Sequence, residues 1–191
     1  MGRGMRSAIF AFARRLTGPL ARLAHERRGI AAVEFALLLP MMLTLYLGSI
    51  EVTTGVAIQR KVTLTARALA DLASQYTSIS SSNMSNILNA STDIIAPYAS
   101  TNLAVVVSEI YVNAQGQASV VWSDTLNGTA LTVGQSVTVP TSLAVPNTYL
   151  ILGQASYSYN PTYGYVMTGT MTLSDQIFMA PRQSSSISVS G

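Results

Sequence analysis

Cysteine is absent from the 191-residue chain, and histidine occurs once, at His25. The first absence excludes disulfides, thiolate metal sites and a cysteine nucleophile. The second leaves everything after residue 25 without an imidazole, so Ser-His-Asp and Cys-His catalysis and His-ligated metals have no donors there. Charge is scarce too: Asp, Glu, Lys and Arg make up 10% of the chain, against roughly 25% in a soluble globular protein. Asp71, Asp93, Glu109, Asp124 and Asp175 are scattered and form no acid–base pair by sequence, so they read as solvated surface. Asp124 with Asn127-Gly128-Thr129 reads as a turn, because EF-hand spacing is missing. No cofactor or metal is implied, and a membrane-anchored enzyme is the weakest of three readings.

The few charges that exist are unevenly placed. Residues 1–29 hold seven arginines against Glu26, a net +6, whereas residues 30–191 hold four cations against seven acids, a net −3. A nucleic-acid binder keeps its basic surface on the folded domain. Here the pI of about 9.4 comes from the first 29 residues, so the balance is a topology signal and nucleic acid is not an expected partner.

Those arginines precede a long apolar run. Of the 21 residues from Ile30 to Ile50 only Glu34, Thr44 and Ser49 are clearly polar. About 20 apolar residues in a helix match a hydrocarbon core of about 30 Å. The positive-inside rule then places residues 1–29 in the cytoplasm and the chain beyond Glu51 across the membrane. A secretory signal fits poorly, since Ala8–Ala13 is short and Arg14-Arg15 cuts it off. Arginines among Ile9, Phe12, Leu16 and Leu20 also suit a transit peptide, but Gly18-Pro19 breaks that helix, which favours a leader on the inner membrane surface.

Beyond the span the helical period continues to about residue 76. Ile58, Val62, Ala66, Leu69, Ala73 and Tyr76 form one face, and Arg60, Arg67 and Asp71 the other. Leu64 interrupts the polar face, and Arg67 and Asp71, one turn apart, can pair. Thr77–Asn83 reads as a turn, residues 85–98 as a second helix ended by Pro97, and residues 103–180 as about four antiparallel strands: Leu103–Val112, Ala118–Asp124, Thr148–Tyr159 and Val166–Met179. The serine-rich residues 183–191 read as a disordered tail. The predicted organisation is a leader (1–29), a transmembrane helix (30–50) and an extracytoplasmic α+β domain (51–182), with a long N-terminal helix packed on a small antiparallel sheet.

The most informative string is Arg27-Arg28-Gly29-Ile30-Ala31-Ala32-Val33-Glu34-Phe35, running on to Leu39-Pro40. It resembles the prepilin-peptidase site of type IV pilins, and more specifically the TadE-like family of the tight-adherence (Flp-type) pilus system, over about Arg27 to Glu51. The resemblance implies a pilin-like α+β fold and cleavage between Gly29 and Ile30 by a prepilin peptidase, with Arg27 and Arg28 as leader charges. It implies a role for Glu34 and Phe35 in processing and assembly, with Glu34 meeting the new N-terminal ammonium. The implied function is that of a minor pseudopilin in biogenesis of a Tad/Flp pilus used for adhesion. Its implied partners are the peptidase, other minor and major pilins, the inner-membrane assembly platform and the bilayer. The implied location is the bacterial inner membrane, single-pass with a periplasmic C-terminal domain, or the pilus itself.

Two bland readings stand beside this one. Glu34 near the interface can reach headgroup water, and Pro40 is either a useful helix kink or a tolerated membrane proline. An unprocessed single-span adapter or scaffold with an extracytoplasmic binding domain is the alternative function. Tyr157, Tyr159, Tyr163 and Tyr165 around Asn160-Pro161 read as packing against the long helix or as a subunit contact.

Overall fold

A computed structural model of the chain describes residues 27–161, 164 and 169–190. The leader through Glu26, with His25, lies outside the described residues, as do Tyr163 and Tyr165. The first element is α1, Arg27–Ser74. The contacts divide the chain between Ser49 and Ile50, and the two units are described in turn.

In the first unit α1 is apolar on every side from Ile30 onward, interrupted only by Glu34, Thr44 and Ser49. Pro40 lies inside the helix, where it removes one donor and leaves the Ala36 carbonyl without its usual partner. The α-helical assignment nevertheless continues without interruption past it. One turn later the Thr44 hydroxyl donates to the Pro40 carbonyl at 2.8 Å.

The second unit is built on the remaining half of α1. Ile58, Val62, Ala66, Leu69, Ala70 and Ala73 are all buried, a stripe at three- and four-residue steps that seats the helix on a sheet. A short strand β1 (Ser78–Ser80) leads into α2 (Ser81–Ile95). This helix starts earlier than predicted because Ser80 caps it, its hydroxyl accepting from the Asn83 N–H. It also ends earlier, since the residue before a proline is pushed out of helical geometry, and Ala96 before Pro97 is extended. No basic residue lies in the last turn of α2. Lys61 of α1 supplies the cation instead, its ammonium donating to the Ile94 carbonyl at 2.8 Å, where the helix dipole is negative.

The sheet strands are β2 (Leu103–Val112), β3 (Ala118–Leu126), β4 (Ser136–Val137), β5 (Thr148–Tyr159) and β6 (Met171–Met179). They form one antiparallel sheet in the order β4-β3-β2-β5-β6, one short strand more than predicted. The arrangement is α+β and pilin-like: a long N-terminal helix on an antiparallel sheet. Period-two alternation sends Leu103, Val105, Val107, Ile151, Ala155, Tyr157 and Tyr159 to the helix side, where they join α1 and α2 in one core. Ile110, Val112, Val120, Leu150 and Leu152 form a second, smaller core on the other side. Leu131, Val137, Val139 and Ala144 from the connection between β3 and β5 cover it.

Gly153 fixes how close the helix comes. A Cβ there would stand 2.3 Å from the Ala66 carbonyl oxygen and 3.1 Å from the Ala70 Cβ, so only glycine admits the α1 backbone at that point.

The serine-rich C-terminus corrects the expectation of disorder. Ser188–Ser190 form β7, which pairs in parallel with β1, and Ile187 is buried in the helix-side core. Further back, the Arg182 N–H donates to the Ser74 carbonyl at 2.9 Å. The Arg182 guanidinium pairs with Asp71. The same-helix partner predicted for Asp71, Arg67, is thus displaced by a residue from the far end of the chain.

Candidate functional site: the apolar half of the first helix

Each predicted site residue after Arg28 lies on the exposed part of α1. Gly29 has nothing within 4 Å of where a Cβ would stand, so its backbone is sterically open. Ile30 is 67% exposed and Phe35 56%, and Glu34 is exposed as well. Leu37, Leu38, Met41, Met42, Leu43, Leu45 and Tyr46 are also exposed. A contiguous apolar surface of this extent is rare on a soluble monomer and marks a lipid or partner contact. By length and composition the helix can cross a membrane, with a mean hydropathy of 2.0 over an 18-residue window in which no residue is buried. A helix suits that solvent, because all its backbone hydrogen bonds are made within the segment.

Where the exposed half gives way to the packed half stands Glu51, 2% exposed. Its carboxylate accepts from the Gly164 N–H at 2.6 Å. The Tyr159 hydroxyl donates to its backbone carbonyl at 3.2 Å. Burial, then the Glu51 charge, pushes the Tyr159 phenol above its ordinary value of 10.0. Tyr157 packs edge-on against Tyr98, ring centroids 6.5 Å apart. Both described tyrosines of the Asn160-Pro161 cluster are therefore core residues.

Sequence reasoning missed a second buried acid. Glu109, expected at the surface, is 1% exposed on β2. It accepts the Ile187 N–H at 2.6 Å, while the Trp122 indole donates to the Ile187 carbonyl at 2.7 Å. Burial pushes the Glu109 carboxyl above its ordinary 4.5, opposed by the hydrogen bond from the Ile187 N–H. Each acid ties a distant part of the chain to the core. The local signal that could have raised suspicion was a lone Glu within the β-branched run of Leu103–Val112.

Among the described residues no group of three or more His, Cys, Asp or Glu could hold a metal ion. Asn127, in the segment read as a turn, adopts a left-handed φ of 57°, and its side-chain amide donates to the Leu103 carbonyl at 3.2 Å.

Comparison with known proteins bears on the same helix. No curated protein and no solved structure matches the chain. A family model for TadE-like proteins matches residues 29–71. That segment opens at Gly29, takes in the exposed half of α1 and runs on through Asp71 of the packed half. The family is one of Tad pilus components and is not enzymatic. Over residues 29–71 the chain is similar to TadE-like proteins.

Proposed function

We propose that the protein is a minor pseudopilin in the biogenesis of a Tad-type pilus, anchored in the bacterial inner membrane by residues 30–50. The observation that carries the reading is the coincidence of three features at one place. The TadE-like match begins at residue 29, the helix beyond it is exposed and apolar, and the cationic leader ends there. In this reading a prepilin peptidase cuts between Gly29 and Ile30, guided by Arg27 and Arg28, and the +6 segment that holds the N-terminus in the cytoplasm is discarded. A glycine with open space around it suits a protease that must grip the backbone.

The mature helix then starts with an ammonium at Ile30. Glu34 stands one turn along, near the positive end of the helix dipole, where an anion is favoured. It meets that ammonium in its own or a neighbouring subunit, with Phe35 beside it in the assembly contact. Pro40 supplies a locally weakened turn for packing among other pilins. The peptidase, other minor and major pilins, the assembly platform and the bilayer are the partners of this scheme.

Intact-mass and N-terminal peptide analysis of the membrane-extracted protein tests the proposal. A mature chain starting at Ile30, absent in Gly29→Trp, is the expected result. An intact leader in piliated cells overturns it in favour of an unprocessed single-span adapter. Glu34→Ala is expected to be processed normally yet lost from the assembled complex.

A further inference from the structure

β6 ends the sheet and pairs only with β5. Its nine residues contain no lysine, arginine or proline, and Asp175 is its one charged residue, so of the devices that usually block an open edge only that mid-strand acid is present. The middle of the edge is answered locally. The Gln59 amide donates to the Ser174 carbonyl at 3.2 Å, and the Gln176 N–H donates to the Asp175 carboxylate at 2.8 Å. Backbone groups point alternately to the two sides of a strand, so Phe178, two residues further, turns its N–H and C=O the same outward way. No strand meets them among the described residues.

Beside that end lies a groove of about 590 Å³ between α1 and β6, with Leu64, Ala68, Ile177 and Met179 on its walls. Leu64 is the residue that breaks the polar face of α1, and it is 54% exposed. Arg67 stands at the same groove. Asp71, the acid one turn away, is engaged by Arg182 and by the Gln75 amide. That leaves Arg67 as the one cation of the groove with no ion pair among the described residues.

We propose that this groove docks an extended peptide segment of a partner protein, adding to the β6 edge at Phe178 and carrying, on one face, an apolar side chain followed two residues on by a carboxylate. The geometry assigns each part of the segment a place. Its backbone takes the outward N–H and C=O of Phe178. Its apolar side chain on the helix side falls between Leu64, Ala68 and Met179. A carboxylate two residues along, on the same face of the segment, meets Arg67. Strand addition of this kind takes affinity from main-chain hydrogen bonds and specificity from pockets for alternate side chains.

Full-length protein in detergent micelles is irradiated with a short synthetic probe that carries valine, a central benzoylphenylalanine and glutamate at alternate positions, with serine between them. Two control probes carry lysine in place of glutamate, or N-methyl groups at alternate residues. The expected adducts map by mass spectrometry to Leu64, Ile177 or Met179, about tenfold more with the glutamate probe than with either control. Arg67→Glu is expected to reverse the preference between glutamate and lysine probes, and Ile177→Lys to abolish the adducts with the far-UV spectrum unchanged. Equal labelling by all three probes overturns the proposal. Adducts confined to Met41 and Met42 overturn it, and so does the absence of any adduct.

Discussion

The two halves of α1 share one backbone and have opposite surroundings. From Ile30 to Tyr46 every residue is exposed, whereas from Ile58 to Ala73 a stripe at helical spacing is buried under the sheet. Composition differs accordingly. The first half is apolar on all sides and the second on one, with Arg60 and Arg67 left outside. A helix with one apolar stripe is completed by a single packing partner, and a helix apolar all round needs a solvent that is itself apolar. The half with the fewest intramolecular contacts thus carries both the proposed anchor and the proposed processing site. The half with the most holds the domain.

The sharpest way to break this division is at Gly153. A valine there drives a methyl-bearing carbon into the α1 backbone, which cannot swing aside as a side chain can. Gly153→Val should cost about 4 kcal/mol or more, seen as loss of cooperative unfolding by circular dichroism. A retained transition would mean that the helix does not sit on β5 as described.

A matched pair of leucines comes next. Leu69 is fully buried and Leu38 is 50% exposed. Leu69→Ala should destabilise the domain by about 2–5 kcal/mol in chemical denaturation. Leu38→Ala, the same chemistry in the other half, should leave domain stability within about 0.5 kcal/mol. Equal effects would erase the distinction between the halves.

The smallest effect concerns pH. The folded Glu109 carboxyl lies above its ordinary value of 4.5, so the folded state holds the proton more tightly than the unfolded chain. Its contribution to stability is fully present below about pH 4.5 and is lost as pH rises through the folded value. Glu109→Gln keeps an acceptor for the Ile187 N–H and cannot ionise. Its melting temperature should therefore fall less than that of the unaltered protein as pH rises above 4.5. Parallel profiles would show that Glu109 does not control the hold on the C-terminal segment.

Where side-chain pattern alone decides structure, the sequence is readable. Strands β2 and β5 follow from β-branched and aromatic residues bounded by turn residues. The face of α1 beyond Glu51 follows from Ile58, Val62, Ala66 and Leu69. Elements that depend on distant partners leave no such trace. Ser78–Ser80 and Ser188–Ser190 look like loop and tail, and they become strands because Ile79 and Ile187 are drawn into the core beside each other's backbones. Asp71 shows the same competition on one side chain. The local pair with Arg67 is worth a few tenths of a kcal/mol. Arg182 adds a backbone hydrogen bond to Ser74 in the same approach and takes the acid.

Length, charge asymmetry and hydrophobic period determined by themselves that the chain carries a spanning-length helix after a cationic N-terminal segment, and that an α+β domain follows. These properties belong to contiguous residues, and water or lipid acts on them wherever the rest of the chain lies. Tertiary structure alone decided that the serine-rich end is a strand, that Glu51 and Glu109 are buried ties, and that β6 offers an open edge beside Leu64 and Arg67. Each of those depends on which groups are left without a partner once the sheet has formed, and no local window of sequence contains that remainder.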